Sequence, residues 1–129
     1  MEEKVVLSPK QKARQINLDN NIYGSMVEIG AGQEVAREFF RAGSASGTIA
    51  KTMSAYDKAF SDAIYGKEED GRYVCESRLE NMLDHEYDLL EDRLNRTDFP
   101  KRKYFTFADT IATVNYDKSI KGHGWIGVR

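Results

Sequence analysis

The sequence predicts an α+β domain made of a glycine turn, three amphipathic helices and a closing strand hairpin, as a truncated piece of a larger α/β protein. Three observations predict it. At "MVEIGAGQEVAREFF", Met26 to Phe40, an apolar run carrying one Glu leads into two closely spaced glycines and then an amphipathic pattern. Through the middle of the chain, apolar residues recur at three- and four-residue steps, the period of a helix face. After Pro100 the pattern changes to partly alternating Phe, Thr, Ile and Val, and the chain stops at Arg129 inside a strand pattern.

Residues 1–20 read as a polar lead-in with a loose helical turn in "PKQKARQI", and residues 21–129 as a single α+β domain, incomplete at its C-terminus. "NIYGSMVEIG" holds a short extended segment weakened by Gly24. In "QEVAREFFRA", Val35, Ala36, Phe39 and Phe40 share one helical face, and Gly43 is the stop, because glycine takes the left-handed cap conformation cheaply. The loop "GSASGT" leads into a second expected helix, in which Ile49, Met53, Tyr56, Phe60 and Ile64 form a core stripe and Gly66 ends the run. At "SRLE", Ser77 and Glu80 have the spacing of a capping box. The helix that follows runs to about Asn95 with Leu79, Leu83, Tyr87, Leu90 and Leu94 buried, and its many Glu, Asp and Arg residues read as a solvated face. "KYFTFADTIATVNY" reads as strand, "DKSIKGHG" as the turn and "WIGVR" as the returning strand.

The composition excludes several function classes. Hydrophobic residues are 40% and charged residues 31% of the 129, an ordinary globular balance. Nineteen basic against 21 acidic residues give a net charge of −2, which offers no global attraction to nucleic acid or to an anionic membrane. The single cysteine, Cys75, rules out an internal disulfide and reads as a small hydrophobe. The only apolar patch near the start, Val5 to Leu7, is too short for an export signal, so the cytoplasm is the default address.

The runs "INLDNNIYGSMVEIGAGQEVAREFFRAGSASGTIAKTMSAYDKAFSDAIYG", "RYVCESRLENMLDHEYDLLEDRL", "YFTFADTIAT" and "GHGWIGVR" closely resemble the start of an uncharacterised bacterial protein family, over nearly all of residues 16–129. Members of that family look considerably longer, which implies that the chain is a fragment. Two names are attached to such proteins: TonB-dependent receptor, and nicotinate- or nicotinamide-nucleotide adenylyltransferase. The residues support neither. A receptor of that kind needs an export signal and many alternating barrel strands, whereas the middle of this chain reads as helical. An adenylyltransferase of that type carries an early His-x-Gly-His element, but the only histidines here are His85 and His123.

Two loops are candidate ligand sites. "VEIGAG" resembles the first motif of class I methyltransferases as far as Gly32; Glu34 then stands where another glycine is usual. Val35 likewise breaks the dinucleotide pattern G-x-G-x-x-G. Gly30 and Gly32 therefore read first as a turn and second as one wall of a site. "GSASGTIAKT" is the better anion candidate, because a small-residue loop entering a helix exposes backbone N–H groups. Ser44, Ser46, Gly47, Thr48 and Lys51 are its donors. It is not a Walker A loop, since only three residues separate Gly43 from Gly47. For metals, Asp84-His85-Glu86 are consecutive and point apart on a helix, so no metal site is assigned.

These readings support two functions. One is a nucleotide- or phosphometabolite-handling enzyme with an anion pocket around Gly30–Glu34 and Gly43–Lys51, taking a phosphate-bearing small molecule. The alternative is a non-catalytic structural or interaction module, assembled as a homo-oligomer. Cofactor and catalytic residues stay unassigned.

Overall fold

The computed structural model describes residues 4–94, 100–114, 116–119 and 121–129. Among them are four α-helices and four strands in one mixed sheet, an α+β fold. The expected end of the long helix at Asn95, and Asn115 and Ile120 of the expected hairpin, lie outside the described residues.

The polar lead-in forms a helix, α1 (Pro9–Asn17), and its start is written locally. Ser8 Oγ accepts from the Gln11 N–H while Gln11 Oε1 accepts from the Ser8 N–H, a capping box with Pro9 in the first turn. The helix is docked rather than loose. Asn17 is buried and its Nδ2 donates to the carbonyls of Phe39 and Gly43, both at 3.0 Å.

β1 (Ile22–Gly30) is the central strand. It pairs in parallel with β2 (Ile49–Ala55) on one side and with β3 (Lys103–Ala112) on the other, and β4 (His123–Val128) adds antiparallel to β3. The strand order is therefore β2-β1-β3-β4. The expected hairpin of β3 and β4 is present. Gly24 is accommodated rather than disruptive: a Cβ there would strike the Phe105 carbonyl and ring, so the close approach of β3 requires glycine.

α2 (Val35–Ala42) returns the chain from β1 towards β2 and stops at Gly43, whose φ is 84°, as expected. The predicted helix over Ile49–Ile64 is corrected. Its first half is β2, and only Lys58–Tyr65 is helical (α3), capped by Asp57 Oδ1 accepting from the Phe60 N–H. Spacing alone could not choose, because a short apolar run satisfies both periods and the open edge of β1 selects the strand. Tyr56 and Phe60 are 74% and 62% exposed, so the stripe is not one core face. Gly66 ends α3 with φ 85°.

α4 (Glu76–Arg93) covers one face of the sheet. Its Leu79 and Met82 close the core over Val27, Ile29, Ala55 and Ala108. The expected capping box at its start does not form; Ser77 Oγ instead donates to Glu68 Oε2 at 2.8 Å. Nor is the charged side wholly solvated, because Arg78 and Glu86 are buried. α2 lies on the opposite face, since Glu28, which bonds to it, alternates with Val27 and Ile29 along β1.

Candidate functional site

The structure separates the two loops that the sequence grouped into one anion pocket. Gly30 ends β1 at the carboxyl end of the parallel strands, and Gly32 follows it. Ser44, Ser46, Gly47 and Thr48 lie at the amino end, where the Gly24 N–H donates to the Thr48 carbonyl at 2.9 Å. Six residue steps of β1 separate those ends, roughly 20 Å at the usual strand rise. The helix start that made the second loop attractive is absent too. Ser44 adopts a left-handed conformation, Ala45–Gly47 is one 3₁₀ turn, and a strand follows. Thr48 is fully buried and its hydroxyl donates to the Asn17 carbonyl, a structural use. Lys51 points to the α4 side, where its Nζ pairs with Glu86.

At the carboxyl end, Gly30 has a φ of 80°, and a Cβ there would collide with the Ile111 carbonyl oxygen. That same oxygen accepts from the Ala31 N–H at 3.0 Å, so the turn is bonded directly to the end of β3. The helix start beyond it is already occupied. Glu28 Oε1 accepts from the Val35 N–H at 2.9 Å and Oε2 from the Ala36 N–H at 3.3 Å, while Glu34, at the cap position, makes no side-chain cap. A strand carboxylate thus fills the place where an anionic ligand would meet the α2 dipole.

Glu28 pairs in register with Asp109 of β3, and both are buried. Burial first, and the hydrogen bond and charge of Glu28 next, push the Asp109 carboxyl up to about 8. Burial beside a second carboxyl thus favours the protonated form of Asp109. Asp109 Oδ1 has no hydrogen-bond partner. It sits under the turn, 3.1 Å from where a Gly32 Cβ would stand.

Above the strand ends opens a cavity of about 580 Å³. Gly30 and Ala31 form one wall and Ile111 to Val114 the next. Tyr56 and Lys58 enter from the end of β2, and His123 from the start of β4. Gly71 to Val74, between α3 and α4, close the remaining side. In this strand order the chain leaves β1 for β2 in one direction and later reaches β3 in the other, so the carboxyl ends of β1 and β3 form a topological switch point, the place where open α/β sheets bind ligands. Its charged lining is Lys58 and Arg72, with the His123 imidazole beside them and no Asp or Glu among the described residues that line it.

A buried clasp holds the 66–74 wall. Arg78 is fully buried. Its Nε donates to Glu68 Oε1 at 3.0 Å, its Nη2 to Asp62 Oδ1 and to the Gly66 carbonyl at 2.6 Å each, and its Nη1 to Ser61 Oγ. The Arg78 hydrogen bond holds the Asp62 carboxyl below its ordinary range. Burial alone would raise Glu68, but bonds from Ser77, Arg78 and Asn81 hold it low as well. Thr110 Oγ1 donates to the Tyr73 carbonyl at 2.6 Å, which ties the loop to β3.

Of the residues assigned to a ligand site from the sequence (Gly30, Gly32, Ser44, Ser46, Gly47, Thr48 and Lys51), Gly30 alone lines this cavity. Tyr56, Lys58, Arg72, Thr113 and His123 were missed as site residues because they come from separate parts of the chain with no shared motif. Cys75 is half-buried at the start of α4, near the wall but outside the lining.

Fold and cavity together define an α+β chain with a crevice at the switch point of a mostly parallel sheet. No family model matches the chain, and no curated protein does. Solved structures share its fold. One is the competence/damage inducible protein CihA from Agrobacterium tumefaciens, with TM-score 0.66, 15% identity, and 98% of this chain and 77% of that one covered. Another is a competence-damaged protein (CinA) superfamily protein from Enterobacter cloacae, with TM-score 0.66, 9% identity, and 100% and 82% covered. At such identities the likeness is one of fold. It bears on neither name attached to the resembling bacterial sequences. Among the described residues no helix is long and apolar enough to cross a membrane.

Proposed function

We propose that the carboxyl-end cavity binds a phosphate-bearing small molecule, and that the chain is part of a cytoplasmic nucleotide- or phosphometabolite-handling enzyme. One observation carries this reading: a cavity at the switch point whose charged side chains are Lys58 and Arg72, joined by His123, with no carboxylate among the described residues that line it. A guanidinium and an ammonium facing one crevice suit a phosphate, the first by its forked donors and the second as a point charge. Tyr56, Tyr73 and Ile111 supply apolar wall for a ring or sugar face. Gly30 lets the ligand approach the backbone, and Gly32 belongs to the turn behind it.

The test is calorimetric titration of the full chain with inorganic phosphate, ribose 5-phosphate and AMP. Binding of at least one phosphate ester, weakened about tenfold by Arg72→Ala, supports the reading. Absence of binding, or binding indifferent to Arg72→Ala and Lys58→Ala, overturns it.

One feature favours a second reading, an interaction module built of copies of this chain. β4 is an edge strand in which Ile126 and Val128 are 63% and 66% exposed, and no Asp, Glu, Lys, Arg or Pro interrupts His123–Val128. Such an edge invites pairing. Light scattering on the purified chain separates the two: a monomer that binds phosphate esters excludes the second reading, and a dimer dissociated by Ile126→Lys supports it.

A further inference from the structure

A second cavity, of about 290 Å³, lies away from the first. It sits between the β1–β2 half of the sheet and the C-terminal half of α4, nearer the amino end of β1. Tyr23, Leu89, Leu90 and Leu94 give it an apolar body, and Lys51 and Arg93 line it too. The one carboxylate among the described residues that line it, Glu86, is already engaged: Oε2 pairs with Lys51 Nζ, and Oε1 accepts from Tyr65 Oη at 3.0 Å. Burial first, then Glu86, push Tyr65 well above the ordinary phenol range, so it remains a donor to that carboxylate. Among the described residues that line it, counting Lys51 against Glu86 leaves the Arg93 guanidinium as the remaining charge.

The cavity has structural support on its polar side. Ser25 lines it, and in register beside Ser25 stands Thr106, fully buried, whose Oγ1 has no hydrogen-bond partner. The Tyr23 ring is held from outside by the Arg102 guanidinium, 4.1 Å from its centroid. At about 30 Å³ per water-sized group, the volume admits roughly ten non-hydrogen atoms.

We infer that this cavity is a binding site for a small aromatic carboxylate, its ring against Tyr23 and the α4 leucines and its carboxylate on Arg93 and Lys51. Charge complementarity decides the class. Apolar walls select an apolar body, the net positive lining selects an anion, and a planar guanidinium suits a carboxylate. A ring hydroxyl would meet Ser25, the hydroxyl side chain of the lining. The inference is independent of the phosphate site, which lies beyond the carboxyl end of β1.

Amide chemical shifts of the full chain, followed during titration with benzoate, 4-hydroxybenzoate and benzylamine, test it. The expected result is movement of Ala50, Lys51 and Leu89 to Leu94 with the two carboxylates and none with the amine. Arg93→Ala, at an exposed position, weakens binding about tenfold, and Leu89→Trp fills the cavity and abolishes it. Arg72→Ala leaves it intact. The inference is overturned if neither carboxylate shifts these amides at millimolar concentration, if benzylamine acts equally, if Arg93→Ala changes nothing, or if Arg72→Ala removes the response.

Discussion

Glu28 and Asp109 stand opposite each other on β1 and β3, both buried, with Asp109 kept protonated beside a Glu28 that caps α2. The pair joins the turn, the helix start and the strand ends beneath the cavity into one unit. Glu28 in "MVEIGAG" reads in sequence as the acidic end of a cofactor strand. In the structure its side chain is the cap of a helix, and it closes that helix start to ligands.

The pair makes stability fall with rising pH. Asp109 has its ordinary value of 3.8 when unfolded and about 8 when folded. Between those values the folded chain holds a proton that the unfolded chain has released, so stability drops as pH rises through that window and levels off above it. The slope is up to about 1.4 kcal/mol per pH unit. Asp109→Asn keeps a donor towards Glu28 and removes the titration. Urea unfolding from about pH 5 to about pH 8 should therefore show a flatter profile for the variant. A slope equal to wild type would show that Asp109 is ionised in the fold.

The glycines of the two loops should respond oppositely to Ala. At Gly30 both the φ of 80° and the Ile111 carbonyl exclude a side chain, so Gly30→Ala should destabilise by at least about 2 kcal/mol. At Gly47 a Cβ meets nothing within 4 Å, so Gly47→Ala should be neutral or stabilising by up to about 1 kcal/mol. Chemical denaturation of both variants checks the contrast.

Arg78 should be among the costliest side chains to remove. Arg78→Ala strands Glu68 and Ser61 in the interior, an expected loss of about 3–5 kcal/mol. Asp62 and Glu68 are both held below their ordinary values, so their contribution is present above those values and is lost on acidification through the lowered ones. Thermal unfolding should show this acid loss in wild type and its near absence in any Arg78 variant that still folds.

Phosphate binding at the carboxyl-end cavity should weaken with salt, because Lys58 is half exposed and its charge is screened within about 10 Å at 0.1 M. Lys58→Ala should lower affinity and flatten that salt dependence, read by calorimetry at two ionic strengths. It should leave the melting temperature nearly unchanged, since its partner Asp62 stays bonded to Arg78.

Much of the fold was legible wherever the signal was local. The stops at Gly43 and Gly66, the α4 stripe through Leu79 and Leu90, and the β3–β4 hairpin all follow from period and glycine chemistry. Two elements misread because their signals were ambiguous. The Ser8 capping box sits in a stretch too polar to advertise a docked helix, and the Ile49–Ile64 spacing fits a strand followed by a helix as well as one helix.

The sequence by itself determined an α+β chain of near-neutral charge with Gly30 at a turn, because composition, capping and periodicity act over a few neighbouring residues. Only the tertiary structure decided which residues share a site. Parallel pairing of β1 with β3 sets Glu28 against Asp109, 81 positions apart in the chain. It sends Gly30 and Thr48 to opposite ends of the sheet and gathers Lys58, Arg72 and His123 from three separate parts of the chain. Those relations are set by strand order and register, which depend on the packing of the whole chain.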